Sequence, residues 1–474
     1  MPSRRFGPFR RVALPLALAV STASCSSMFN DVTVTQQTSS VETTLLGTDT
    51  TPVAGPSTVD ELTYDEVAQK MIVSIDAFWT QQLPDVYGKQ YETLAQGVFP
   101  LKPGDEAPGC DAPSTMFEDV AGNAFYCPAG DFIAYDDAEL FPGLYTKFGP
   151  FVIGVVLAHE WGHAIQVRGG VSDSVAAVTL ENQADCFSGA WTRWIADGNA
   201  AGLTINGADL DGALGGLLFF RDEPGVTSAD EQAHGSGFDR VRVFQEGFEQ
   251  RPSHCAGYET DPPQPLDLQF RDDIEFATGG NAPYGDLVTF VTEGLDNFWA
   301  GVFSASGKTF TPLSVAAHLR LFDPDAEEVS CGAQTLPAAT LKDSAFYCAP
   351  DDYVGFDEPG TLQRPYDRIG DYAAAIELAS GWSEAAQDRA SSTLAGKERE
   401  RQRDCLSGAF TGAVYIGDVN DSSGKPVALS PGDLDEAISE FIASGRSQPG
   451  ASFERVSSFR NGFLGGIKAC DFAV

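Results

Sequence analysis

The chain has 474 residues, 43% of them hydrophobic and 11% aromatic, which is enough to build two packed domains rather than one. Its formal net charge is −37, from 67 acidic against 30 basic residues. Such a surface repels phosphate backbones and anionic headgroups, which argues against nucleic acid as a partner and against membrane contact through the folded part.

In chain order, the first element is a targeting segment. Arg4, Arg5, Arg10 and Arg11 precede an apolar stretch from Val12 to Val20 that is too short to span a bilayer. Small residues then lead to Cys25, so residues 1–25 are expected to be a cleaved export peptide. The run Thr22-Ala23-Ser24-Cys25 resembles the lipobox of bacterial lipoproteins, with Thr22 where Leu is usual. That resemblance implies lipidation of Cys25 and a membrane-anchored protein facing outside the cytoplasm. The pair Arg4-Arg5 leaves a twin-arginine export route open beside the general one. Residues 26–59 are rich in Ser and Thr without an apolar period, the composition of a disordered tether.

The next expected domain covers 60–258. From Pro150 to Arg168 the sequence predicts a helix: Pro suits its first turn, Val152 to Ala158 is apolar, and Gly169-Gly170 ends it. His159 and His163, four apart, leave one face of that helix a turn from each other, the spacing with which two imidazoles share a Zn²⁺. Glu160 lies beside the first, placed to act as a base. The plainer alternative is a buried helix with two satisfied histidines. A second helical segment, Leu180 to Cys186, offers Glu181 as a third metal ligand and Asp185 one turn later to accept the free N–H of a ligand histidine. Three protein ligands and an open position form a catalytic rather than structural zinc pattern. His234, in His234-Gly235-Ser236, is the candidate for stabilising an oxyanion; a loop histidine in water is the competing reading. Arg240 is the other candidate for that role.

A Pro- and Asp-rich linker over 259–283 leads to an expected second domain, 284–474, which repeats the first. Ala124-Phe125-Tyr126-Cys127 recurs as Ala345-Phe346-Tyr347-Cys348, and Trp161 and Gln166 fall on Trp382 and Gln387. Asp185-Cys186 recurs as Asp404-Cys405, Asp209-Leu210-Asp211 as Asp433-Leu434-Asp435, and Arg240 as Arg455. Each copy carries four cysteines, an even number that suits an oxidising compartment. The simplest pairing is within copies, Cys110–Cys127, Cys186–Cys255, Cys331–Cys348 and Cys405–Cys470, with two other connectivities open in each. In the second copy Ser380, Gly381 and Glu384 stand where the first has His159, Glu160 and His163, and Pro449 stands at His234. Glu400 and Asp404 persist at the places of Glu181 and Asp185, either for a structural duty such as pairing with Arg401 or Arg403 or because they have merely not drifted.

The segments His159-Glu160-Trp161-Gly162-His163 and Glu181 to Cys186, with Gly189 and Trp191 after them, resemble the gluzincins and, among these, the bacterial neutral zinc metallopeptidase family. The resemblance implies zinc held by His159, His163 and Glu181, and hydrolysis of peptide or protein substrates with Glu160 as the base. The expected fold class is helix-rich α+β, as two tandem zincin-like domains of gluzincin type, the second degenerate. The alternative function is a non-catalytic surface binding or assembly protein with a structural zinc.

Overall fold

The computed structural model describes residues 55–110, 112–172, 174–230, 233–445 and 450–474. The expected export peptide with Cys25, the tether up to residue 54, and Pro449 lie outside the described residues. The folded body begins ahead of residue 60: Val59 is fully buried and Thr58 exchanges hydrogen bonds with Thr204.

The fold is helix-rich α+β. In the first half the principal elements are α1 (Tyr64–Tyr87), β1 (Gly97–Leu101), β2 (Ala124–Cys127), β3 (Phe132–Asp136), α2 (Phe151–Gly169), α3 (Ala177–Ala196), α4 (Gly207–Phe219) and α5 (Gly237–Gln250). The second half runs α6 (Tyr284–Ala305), β4 (Leu319–Phe322), β5 (Ala345–Cys348), β6 (Tyr353–Asp357), α7 (Asp371–Arg389), α8 (Gly396–Tyr415), α9 (Asp433–Gly445) and α10 (Ala451–Gly465). Helix starts follow local chemistry. Thr63 and Glu66 form a capping box at α1, and Asn206 accepts the N–H groups of Ala208 and Asp209 at α4.

Each half holds a three-stranded sheet of the same order, β1-β3-β2 and β4-β6-β5. The central strand is parallel to one neighbour and antiparallel to the other: Ile133 pairs with Val98 and Tyr126, Val354 with Leu319 and Tyr347. Strand β3 is buried along its length, so β2 is carried as an edge strand over the helices.

Glycines set the closest helix crossings. A Cβ on Gly189 would lie 1.9 Å from the Phe244 carbonyl oxygen, and one on Gly247 1.9 Å from that of Cys186, so α3 and α5 meet backbone to backbone. Gly408 and Gly462 do the same between α8 and α10. Disulfides close Cys110–Cys127, Cys186–Cys255, Cys331–Cys348 and Cys405–Cys470. Residues 259–283 lie against the body: Leu266 and Leu268 pack on the core, and Asp273–Ala277 is a short helix. Buried Trp79, Trp161 and Trp191 from the first half and Trp299 and Trp382 from the second belong to one continuous core. Among the described residues no helix is long and apolar enough to cross a membrane.

The second half also gathers buried acids. The carboxylates of Asp371, Asp433 and Glu436 lie within 4.8 Å of one another, where the first half has Pro150, Asp209 and Gly212. Their oxygens accept N–H groups of Ala282, Ser430 and Tyr372 at loop ends and helix starts. Burial, joined by repulsion from Asp371, pushes Glu436 up to about 8; burial pushes Asp371 up to about 6, and burial with repulsion pushes Asp433 well above the carboxylate range. Asp209, Asp211 and Asp435 rise to about 6 and Glu440 to about 8, again led by burial. Folded pKa values above the unfolded ones mean that the native state holds extra protons between about pH 4 and pH 8, so stability falls as pH rises through that window. The melting temperature is therefore expected to drop from pH 5 to pH 8. Glu436→Gln should shrink that drop, raising the value at pH 8 by about 2–4 °C while changing it little at pH 5. A melting temperature equally pH-dependent in the variant would contradict the assignment.

Candidate metal centre

Helix α2 is capped by Pro150 and closed by Gly170 at φ 82°. Its stretch from Phe151 to Ala158 is buried, which fixes the helix in the core and leaves His159 and His163 on one face. Their Nε2 atoms are 3.2 Å apart. A Cβ on Gly162 would come within 2.8 Å of Ala184 Cα, so the bare glycine lets α3 approach closely enough for Glu181 to reach both rings. Glu181 Oε2 lies 3.2 Å from His159 Nε2, and Oε1 lies 3.4 Å from His163 Nε2.

The far sides of the rings decide which nitrogens carry protons. His159 Nδ1 is 2.7 Å from Asp185 Oδ1, a pure acceptor, so Nδ1 carries the proton and Nε2 keeps its lone pair in the neutral ring. Gln166 Nε2 donates to the Leu180 carbonyl at 2.7 Å, which turns its Oε1 toward His163 Nδ1 at 3.0 Å. His163 is thereby set the same way. Two lone pairs and a carboxylate converge, and Glu181 Oε2 is buried without a hydrogen-bond partner. Such a set repels itself unless a proton or a cation joins it. Burial opposes charge on His159, but Asp185 and Glu181 outweigh it and push its pKa up to about 10. A metal bound there would take the place of that proton. Two imidazole nitrogens and one carboxylate, facing a cavity of about 350 Å³, fit Zn²⁺ with a position left open.

Asp185 is fully buried, and its two oxygens also receive Arg240 Nε at 2.7 Å and Nη2 at 3.0 Å. Burial alone would raise its pKa; Arg240 and His159 hold it below the carboxylate range. Arg240 Nη1 donates to the Phe220 carbonyl. Glu160 is also buried, with Oε2 accepting the Tyr126 N–H from strand β2 at 2.9 Å. Burial pushes the Glu160 carboxyl above its ordinary range, against the pull of His159 and His163. His234 lines the same cavity with a half-exposed ring, and Asp222 accepts the N–H groups of His234 and Gly235. The Asp222 contact raises the His234 pKa. The apolar part of the lining is built by Phe125, Val152, Val155, Val156, Leu217 and Phe220.

The second half keeps the frame and lacks the donors. Asp404 receives Arg455 Nε at 3.0 Å, as Asp185 receives Arg240, and Arg403 lies 3.6 Å away. That accounts for Asp404 without any histidine. Glu400 lines a separate surface cavity with Arg401 and Arg403. Gln387 donates to the Arg399 carbonyl as Gln166 does to Leu180, and its Oε1 is buried without a partner where Glu384 replaces a histidine. A Cβ on Gly381 would meet the Phe356 ring at 2.4 Å, so the place of Glu160 is filled. Gln166, Tyr126 and Asp222 were not among the sequence-based site residues. The repeat of Gln166 as Gln387 marked a frame position, whereas the backbone N–H of Tyr126 leaves no trace in sequence.

A family model described as "Putative neutral zinc metallopeptidase" matches residues 16–258, just over half of the chain. The chain belongs to this family. Membership implies zinc as the metal. The chain is 28% identical over 201 residues to the uncharacterized protein Rv2575 of Mycobacterium tuberculosis, a match covering 37% of this chain and 64% of that one. It is 29% identical over 199 residues to the uncharacterized protein YpfJ of Escherichia coli K12, covering 36% and 66% respectively. The chain thus spans a little less than two thirds of these relatives. No solved structure matches it.

The metal-free protein is expected to bind one zinc tightly, with Asp185→Asn weakening the affinity by roughly 10- to 100-fold through the lost hold on His159. Competition against a chromophoric chelator measures this; unchanged affinity would contradict the orienting role of Asp185.

Proposed function

We propose that this chain is an exported, lipid-anchored zinc metallopeptidase that hydrolyses peptide bonds in peptide or protein substrates, with all of its chemistry in residues 60–258. The observation that carries this reading is the buried carboxylate of Glu160, held by one oxygen beside three converging metal-ligand groups at the floor of a cavity. In this reading residues 284–474 are a degenerate copy from a tandem duplication, and Cys25 carries the anchor.

Zinc, when bound, supplies Lewis acidity toward the scissile carbonyl and makes a water easier to deprotonate. The chain supplies the rest. Tyr126 N–H fixes one oxygen of Glu160, leaving the other to take the proton of the attacking water and return it to the departing amine nitrogen. The raised pKa of Glu160 suits both transfers, since it brings the group nearer to neutral pH. His234, which lines the same cavity, donates to the oxyanion in this reading. Edge strand β2 offers its backbone to an extended peptide, and the apolar wall accepts a hydrophobic side chain.

Glu160→Gln should keep zinc while lowering hydrolysis of an unstructured protein such as casein by roughly 10²- to 10⁴-fold. Wild-type cleavage should stop with a chelator and return with zinc. Full activity in zinc-loaded Glu160→Gln protein would overturn the mechanism. A zinc-loaded wild type that cleaves nothing would favour the alternative, a surface binding protein with a structural metal.

A further inference from the structure

The halves meet through a pseudo-twofold exchange of helix caps. Asp435, on α9, accepts Gly237 N–H at 3.2 Å and Phe238 N–H at 2.8 Å at the start of α5. Asp211, its counterpart on α4, accepts Gly450 N–H at 2.8 Å and Phe453 N–H at 2.9 Å at the start of α10. The rings swap likewise: Phe238 packs on Phe463 at 4.9 Å between centroids, and Phe248 on Phe453 at 5.0 Å. Residue i touches j, and the counterpart of j touches the counterpart of i. That is the pattern of a self-complementary dimer face, realised inside one chain.

At these helix caps one contact breaks the symmetry. Arg221 Nε lies 3.2 Å from Asp435 Oδ2, whereas the counterpart of Arg221 is Gly445 and makes no such contact. Arg221 stands between two residues of the site. Phe220 lines the cavity and accepts Arg240, while Asp222 holds the backbone of His234 and Gly235. The helix start that Asp435 caps comes directly after His234-Gly235-Ser236 and one turn before Arg240, which orients Asp185. A single buried carboxylate from the second half therefore grips both ends of the wall that presents His234.

We propose that Asp435 is a positioning residue for the site of the first half, and that the second half acts as a built-in partner that holds the segments 220–222 and 234–240 in register with the metal ligands. The inference rests on the peptidase reading only for its kinetic consequence. Asp211 provides a matched control, because it makes the same kind of cap toward a half without the donor set.

The test compares full-length, zinc-loaded Asp435→Ala, Asp211→Ala and Arg221→Gln with the wild type. Arg221 is part-exposed, so its variant is expected to fold even if Asp435→Ala does not. Hydrogen exchange should quicken over residues 233–240 in Asp435→Ala and over 450–456 in Asp211→Ala. Turnover of a casein-derived peptide should fall about tenfold or more in Asp435→Ala and several-fold in Arg221→Gln, in kcat rather than KM and with zinc content unchanged, while Asp211→Ala stays within about twofold. Equal kinetics for Asp211→Ala and Asp435→Ala, or unchanged exchange over 233–240, would overturn the proposal. If the wild type shows no hydrolysis, the peptidase reading fails and the exchange data alone decide the positioning claim.

Discussion

The buried carboxylate of Asp185 sits at the junction of three helices, and the site depends on it. One oxygen takes the Nδ1 proton of His159 on α2, both take the guanidinium of Arg240 on α5, and the residue itself belongs to α3. A fully buried carboxylate is tolerated only when its charge is met on every side, and here the partners that meet it are also those that need placing. The proton it fixes on Nδ1 leaves the lone pair of Nε2 for a metal. The arginine it holds reaches Phe220 on the cavity wall. Metal ligand, wall and helix packing are thus coupled through one side chain.

The second half separates frame from chemistry. Its Asp404–Arg455 pair and its Gln387–Arg399 link persist, so these contacts serve the packing of helices and need no metal. The donor set is absent there, and Phe356 lies in the space a Glu160 counterpart would need. The Oε1 of Gln387 is buried without a partner, whereas that of Gln166 faces His163. Helix α9 of the second half reaches, through Asp435, the start of α5 that follows His234.

Much of the metal centre was legible because its geometry is local. Two histidines at i and i+4 on a helix must share a face, and a carboxylate on the next helix can complete a set. The repeat within the chain made its own control, showing which residues vary with the histidines and which do not. The contacts that tune the site were harder to read. The N–H that holds Glu160 belongs to Tyr126, where only the backbone matters, and the cap from Asp435 comes from almost two hundred residues away. The division into domains was read from the internal repeat, and the hydrophobic faces of both halves merge into one core, which no local pattern announces. The acids at Asp371, Asp433 and Glu436 likewise become a group only through the crossing of α7 and α9.

Zinc-edge anomalous diffraction from crystals of the zinc-loaded protein would test the central claim most directly. The account predicts one strong peak per chain, bonded to His159 Nε2, His163 Nε2 and a Glu181 oxygen, and none in the second half. A peak held by other residues, or one in which Asp185 rather than Glu181 binds the metal, would contradict it.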